Sequence, residues 1–88
     1  VLLGLSAGTA AAQEKLRIGV IVTTSGPPAA LGGQVRDGFA LAVKDLGGKM
    51  GGREVEIVNA DDELKPDVAV NKVRGLLERE KVDFVVGP

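Results

Sequence analysis

The apolar residues of this chain follow two periodicities that alternate along its length after residue 15. Short apolar runs, continuous or strictly alternating, predict strands, whereas apolar residues spaced three and four apart predict amphipathic helices. The resulting order is strand, helix, strand, helix and strand, over residues 16–23, 34–46, 54–60, 66–80 and 82–86. This alternation predicts an α/β fold in which right-handed helical crossovers join parallel strands.

The composition of each strand predicts its place in the sheet. Residues 16–23 form a nearly continuous apolar run, which is typical of a strand buried on both faces between helices. In residues 54–60, valine and isoleucine alternate with glutamate, which indicates one solvated face or an edge position. We therefore predict a three-layer, doubly wound parallel sheet, of which this chain contains the first β-α-β-α-β portion.

The predicted helices carry recognisable signals at their ends. Phe39 lies on the apolar face of the first helix, where core packing is expected. Gly47 and Gly48 supply the left-handed exit that residues with a Cβ resist. Pro66 suits the first turn of the second helix. Lys65 is a poor capping residue, so we expect that helix to begin without a good side-chain cap.

The segment between the first strand and the first helix, residues 24–33 (TSGPPAALGG), occupies the place where α/β sheets bind ligands. We predict a turn over residues 24–28 and a loop of small residues over 29–33. The segment contains no Lys, Arg, His, Asp, Glu or Cys. Such a segment can hold a ligand but offers no group that transfers a proton or attacks a carbon. A purely structural βα turn is the alternative interpretation.

A nucleotide-binding enzyme of the Rossmann type is the alternative from another functional class. Gly26, Gly32 and Gly33 do not have the spacing of the G-x-G-x-x-G fingerprint, and G-x-x-x-x-G-K-[ST] is absent. Pro27 and Pro28 also remove two backbone N–H groups that would bind a phosphate. We therefore predict no cofactor and no enzyme activity.

Three consecutive acidic residues, Asp61, Asp62 and Glu63, follow the second strand. A metal site needs carboxylates that converge on one point, whereas neighbouring residues of a turn diverge. Short acidic turns commonly accept hydrogen bonds from nearby backbone N–H groups. We predict that this cluster stabilises its own turn and binds no metal.

Charge and composition narrow the possible partners. The formal net charge is −1, and positive and negative residues are interspersed, so the chain offers no basic stripe for nucleic acid. The chain also has no cysteine.

Residues 1–12 (VLLGLSAGTAAA) are apolar, too short to span a bilayer as a helix, and end in a small-residue cleavage pattern. We interpret them as the h- and c-regions of a secretory signal peptide, with an apolar N-terminal helix as the alternative. No membrane span is predicted.

Several segments, in order, resemble one known family. IGVIV followed by SGP and small residues resembles the first strand and loop of the Leu/Ile/Val-binding family, the type I periplasmic solute-binding proteins of ABC importers. VRDGFALAVKDL, GGREVEIVNADDELKPDVAVNKVRGLL and VDFVVGP resemble the next elements of that family. The resemblance covers nearly all of residues 15–88. It implies that residues 13–88 are the first half of the N-terminal ligand-binding lobe of a longer, two-lobed protein.

The resemblance also implies a function and a set of binding residues. Family members capture a small solute, such as an amino acid or a related carboxylate or amide, between two lobes in the periplasm and deliver it to permease subunits. The candidate ligand-binding residues are Ser25, Gly26, Leu31 and Gly32. Many members have an aromatic at the place of Leu31, so leucine implies a wider pocket or a different ligand. Ser25 either donates a hydrogen bond to a carboxylate or caps the turn. A ligand-sensing domain of the same fold is the alternative among binding proteins.

Overall fold

A computed structural model describes residues 14–88 of the chain. The predicted signal segment, residues 1–12, lies outside the described residues. The elements are β1 (Leu16–Val22), α1 (Ala29–Asp45), β2 (Lys49–Met50), β3 (Arg53–Asp61), α2 (Pro66–Glu78) and β4 (Phe84–Val86). Within residues 14–88, no helix is both long enough and apolar enough to cross a membrane.

The strands form a four-stranded sheet in the order β2-β3-β1-β4. β1 pairs in parallel with β3 on one side and with β4 on the other, as the alternation of strands and helices predicts. The short β2 pairs antiparallel with the start of β3, where Lys49 faces Glu54 and Met50 faces Arg53. The sequence does not predict this hairpin, because two residues are too few to show a periodicity. It makes the sheet mixed at one edge.

β1 is the centre of the core, which confirms the prediction of a strand buried on both faces. On one face Ile18 and Val20 are buried, and Phe39 of α1 packs against them. On the other face Ile21 is buried with Leu76 of α2. Successive side chains of a strand point to opposite faces, so helices cover both sides of the sheet. The three-layer arrangement and the core position of Phe39 are therefore confirmed.

β3 has the half-exposed character that its alternating sequence predicts. Glu54 and Glu56 are exposed, whereas Val55 and Ile57 are partly buried. β2 pairs only with the first two residues of β3, so the remaining outer edge of β3 has no strand partner among the residues that the structure describes. Both the solvated face and the edge position are confirmed.

α1 begins at Ala29, five residues before its predicted start, so the prediction of a loop over residues 29–33 is wrong. The first turn is closed by the Gly32 N–H, which donates to the Pro28 carbonyl at 3.1 Å. The two glycines of this segment disfavour a helix by about 1 kcal/mol each relative to alanine. Close packing on the end of β1 outweighs that preference. Leu31 and Gly32 therefore lie on a helix rather than in a loop.

The other predicted capping features are confirmed. Gly47 and Gly48 have φ angles of 80° and 77°, and the Gly48 N–H donates to the Val43 carbonyl at 2.9 Å. This arrangement satisfies carbonyl groups at the end of α1. At the start of α2, Lys65 makes no side-chain cap hydrogen bond, and Pro66 occupies the first turn.

α2 and β4 are each two residues shorter than predicted. The chain between them is held by the Arg79 N–H, which donates to the Gly75 carbonyl at 2.9 Å, and by the Val82 N–H, which donates to the Leu76 carbonyl at 3.0 Å. Val82 is buried beside Ile21. This valine therefore belongs to the core without belonging to the sheet.

Candidate functional site

The chain reverses its direction across the sheet between β1 and β4. The crossover through α1 places β3 on one side of β1, and the crossover through α2 places β4 on the other side. The carboxyl ends of β1 and β4 therefore flank a topological switch point. In open α/β sheets, ligands bind in the crevice outside the strand ends at such a point.

A groove opens at this position, and we call it the switch-point groove. It has a volume of about 260 Å³ and lies between the end of β1, the start of α1, the turn after β3 and the segment after β4. Its lining residues are Val22, Thr23, Pro28, Leu31, Gly32, Val35, Leu64 and Pro88. None of these side chains is charged, and most are apolar. The switch-point groove therefore suits the apolar part of a small ligand.

The structure brings two of the four predicted binding residues to this groove. Leu31 lines it with 66% of its surface exposed, and Gly32 lies beside it in a buried position. Ser25 and Gly26 instead form the turn before α1, where Gly26 has a φ of 72° and its carbonyl accepts a hydrogen bond from Ala29 at 3.0 Å. Their positions make them part of the support of the helix start rather than of the groove wall.

The start of α1 approaches β1 more closely than a side chain would allow. A Cβ built on Gly32 would lie 1.6 Å from the carbonyl oxygen of Thr23. Backbone atoms at that distance cannot be displaced by a rotamer change, so only glycine fits. This contact fixes the distance between Leu31 and the end of β1.

Six further residues line the switch-point groove and are not among the predicted binding residues: Val22, Thr23, Pro28, Val35, Leu64 and Pro88. Leu64 is the one apolar residue in the segment Asp-Asp-Glu-Leu-Lys, and 69% of its surface is exposed. An apolar residue within a polar turn is a local signal that could have indicated a surface role. Val35 and Pro88 carry no such signal, because only the tertiary fold brings them together.

The acidic turn after β3 is held by hydrogen bonds to nearby groups, as the sequence predicts. Asp62 is 6% exposed, and its Oδ1 accepts hydrogen bonds from the Leu64 N–H at 2.9 Å and from the Thr23 hydroxyl. The carboxylate therefore ties the turn after β3 to the end of β1. Within residues 14–88, no group of three acidic, histidine or cysteine side chains could hold a metal ion.

Asp61 is the one residue of this region whose pKa clearly departs from its ordinary value. Hydrogen bonds from the backbone N–H groups of Thr24 and Glu63, both 2.9 Å long, lower its pKa below the ordinary value of 3.8. The Ser25 hydroxyl and the positive charge of Lys72 act in the same direction, and together these effects outweigh desolvation. Each of them stabilises the charged carboxylate relative to the protonated acid.

This lowered pKa predicts an acid-dependent loss of stability. A carboxyl group whose pKa is lower in the folded state stabilises that state above its unfolded pKa, and the contribution disappears as the pH falls through the folded value. We expect Asp61→Asn to be less stable than the wild type at about pH 6, with the difference shrinking below pH 3.8. Denaturant unfolding of both full-length proteins over this range measures it. A difference that stays constant with pH would contradict the prediction.

A family profile described as periplasmic binding protein matches residues 15–88. The chain belongs to the periplasmic binding protein family. This match confirms the resemblance inferred from its segments, and it concerns a family of transporter solute-binding proteins rather than of enzymes. The fold is therefore that of a periplasmic binding protein.

Three relatives illustrate the similarity. The chain is 39% identical over 82 residues to the Leu/Ile/Val-binding protein BraC3 of Rhizobium johnstonii, covering 88% of this chain and 21% of the relative. A solute-binding protein from R. palustris in complex with benzoate is 37% identical, with a TM-score of 0.78, over 83% of this chain and 20% of that one. LivJ of Streptococcus pneumoniae, a branched-chain amino acid transporter protein in complex with isoleucine, is 31% identical, with a TM-score of 0.77, over 85% and 22%.

The chain spans only about a fifth of the length of these relatives. The similarity is consistent with an N-terminal part of a type I periplasmic binding protein, as predicted. The matched region contains the sheet and the switch-point groove.

Proposed function

We propose that this chain is part of one lobe of an extracytoplasmic binding protein that captures a small solute in a cleft between two lobes. The bound solute is then delivered to the permease subunits of an ABC importer. Residues 1–12 are the remnant of the signal peptide that directs the protein to the periplasm, and residues 13–88 are the first half of the N-terminal lobe. Capture is noncovalent and needs neither metal nor cofactor.

The observation that carries this proposal is the apolar, uncharged switch-point groove at the carboxyl end of the central strand. The position is that of a ligand site in an α/β sheet. The side chains that line the groove include no titratable group, so the lining itself supplies no general acid or base. Binding is the activity that such a lining supports.

The ligand class is an organic carboxylate with an apolar body. Two similar proteins were solved with isoleucine and with benzoate, which share a carboxylate attached to an apolar group. In this chain, the switch-point groove receives the apolar body, because burial of apolar surface is the favourable interaction that it offers. The carboxylate binds polar groups outside the groove, mainly in the segment after residue 88 and in the second lobe.

The four predicted binding residues have different parts in this scheme. Leu31 contacts the ligand directly. Gly32 sets how closely α1 approaches the end of β1. Gly26 shapes the turn that starts α1. Ser25 lies in the turn before α1 and does not line the groove, which favours a role in the turn over a direct bond to the ligand carboxylate.

Calorimetric titration of the full-length protein with isoleucine and with benzoate tests the proposal. We expect heat of binding and a saturable isotherm for at least one of them. Benzyl alcohol, which keeps the apolar ring but lacks the carboxylate, is the matched control and should bind much more weakly. Absence of binding to both carboxylates would contradict the proposed ligand class.

A substitution at Leu31 should change affinity more than stability. Leu31→Trp fills part of the switch-point groove, and altered packing in a ligand pocket changes binding by about 1–3 kcal/mol. The residue is 66% exposed, so the melting temperature should change little. Leu41→Trp, at another exposed leucine of α1 that does not line the groove, is the control. Unchanged affinity with a large fall in melting temperature would identify Leu31 as a packing residue.

A further inference from the structure

The turn that follows β3 has an unusual backbone. Glu63 and Leu64 are consecutive residues with φ angles of 54° and 57°. The left-handed region is unfavourable for residues with a Cβ, and a leucine there is uncommon. Two such residues in succession persist only where surrounding contacts hold them.

Hydrogen bonds of the acidic turn hold this conformation in place. The Glu63 N–H donates to Asp61 Oδ1 and the Leu64 N–H donates to Asp62 Oδ1, both at 2.9 Å. Asp62 is buried and also accepts a hydrogen bond from Thr23 at the end of β1. The position of Leu64 is therefore fixed relative to the central strand.

The side chain placed in this way is apolar and open to solvent. Leu64 is 69% exposed and lines the switch-point groove, which Leu31, 66% exposed, lines from α1. Neither leucine belongs to the two buried clusters of the core. A strained backbone that presents an apolar side chain to an open groove points to a contact made outside the folded core.

We propose that Leu64 is a ligand-contacting residue, which forms with Leu31 the apolar subsite for the body of the bound carboxylate. The inference rests on the proposed function and extends it to a residue outside the loop after β1. Asp62 is then a positioning residue, because its hydrogen bonds to Leu64 and Thr23 set the distance between the turn and the strand end.

The test uses three variants of the full-length protein. Leu64→Asn removes the apolar side chain, but asparagine tolerates the left-handed conformation, so the turn is retained. Leu64→Met keeps an apolar side chain of similar volume. Glu63→Asn is the matched control, because it places asparagine at the neighbouring left-handed position, whose exposed side chain does not line the groove.

Binding of isoleucine and of benzoate is measured by calorimetry well below the melting temperature of every variant, so that unfolding cannot imitate lost affinity. We expect Leu64→Asn to raise the Kd of the bound ligand at least about tenfold. Leu64→Met and Glu63→Asn should stay close to the wild type, and all melting temperatures should remain similar.

Three results would overturn the inference. An unchanged Kd for Leu64→Asn would show that Leu64 does not contact the ligand, and a lower melting temperature beside it would assign the residue to packing within the protein. An equal loss of affinity in Glu63→Asn would assign the effect to the turn. Failure of the wild type to bind either carboxylate would remove the proposed ligand class and this subsite with it, whereas binding without an effect at Leu64 would leave the proposed function intact.

Discussion

Gly32→Ala is expected to lower the free energy of unfolding by about 3 kcal/mol or more, at the upper end of the range for overpacking. The added Cβ would lie 1.6 Å from the Thr23 carbonyl oxygen and 2.5 Å from its carbon. The clash is with backbone, so α1 has to move away from β1. Because Gly32 also lines the switch-point groove, that movement should weaken ligand binding as well.

Gly38→Ala is the matched control for this prediction. It makes the same chemical change in the same helix, but nothing lies within 4 Å of the added Cβ. Alanine in a helix interior is more favourable than glycine by about 0.5–1 kcal/mol, so this variant should be slightly more stable than the wild type. Denaturant unfolding of the full-length proteins compares them. Equal stability of the two variants would show that α1 does not pack on Thr23 as described.

Asp62→Ala is expected to lower the free energy of unfolding by about 3 kcal/mol. It leaves two hydrogen-bond donors without an acceptor, and a buried donor without a partner costs about 1–3 kcal/mol. These donors are the Leu64 N–H and the Thr23 hydroxyl. The carboxylate is 6% exposed, so water cannot easily replace it. The substitution removes the link between the end of β1 and the left-handed turn.

The adjacent Glu63→Ala is the control for Asp62→Ala, because the Glu63 side chain is exposed. Its substitution should change stability by less than about 0.5 kcal/mol. Asp62→Asn keeps an accepting oxygen, so its loss of stability should lie between those of Asp62→Ala and Glu63→Ala. The prediction would be wrong if Asp62→Ala were no more destabilising than Glu63→Ala in chemical denaturation of the full-length protein.

The acidic turn shows how far local sequence reasoning reaches. The prediction that Asp61 and Asp62 serve their own turn is confirmed, because side-chain acceptors two residues from an N–H find it without help from the rest of the fold. The sequence does not predict the additional hydrogen bonds that Thr23 and Thr24 donate to these carboxylates. They join residues nearly forty positions apart, and only the pairing of β1 with β3 brings them together.

The start of α1 shows where local reasoning failed. The sequence predicts a loop of small residues over 29–33, a segment whose two glycines also have a low helix propensity. The structure makes them helical because Gly32 allows the helix to pack against the backbone of Thr23. Propensity describes a residue by itself, whereas this contact depends on two elements meeting, and the tertiary interaction is the stronger of the two.

The amino-acid sequence by itself determined the α/β order, the buried central strand, the exposed face of β3 and the glycine exit of α1. Each of these depends on periodicity or capping within one element. Only the tertiary structure decided which residues share the switch-point groove. Leu31, Leu64 and Pro88 lie far apart in the chain, and the opposite directions of the two crossovers bring them to one end of the sheet. A groove is a relation between elements, so no pattern within a single element contains it.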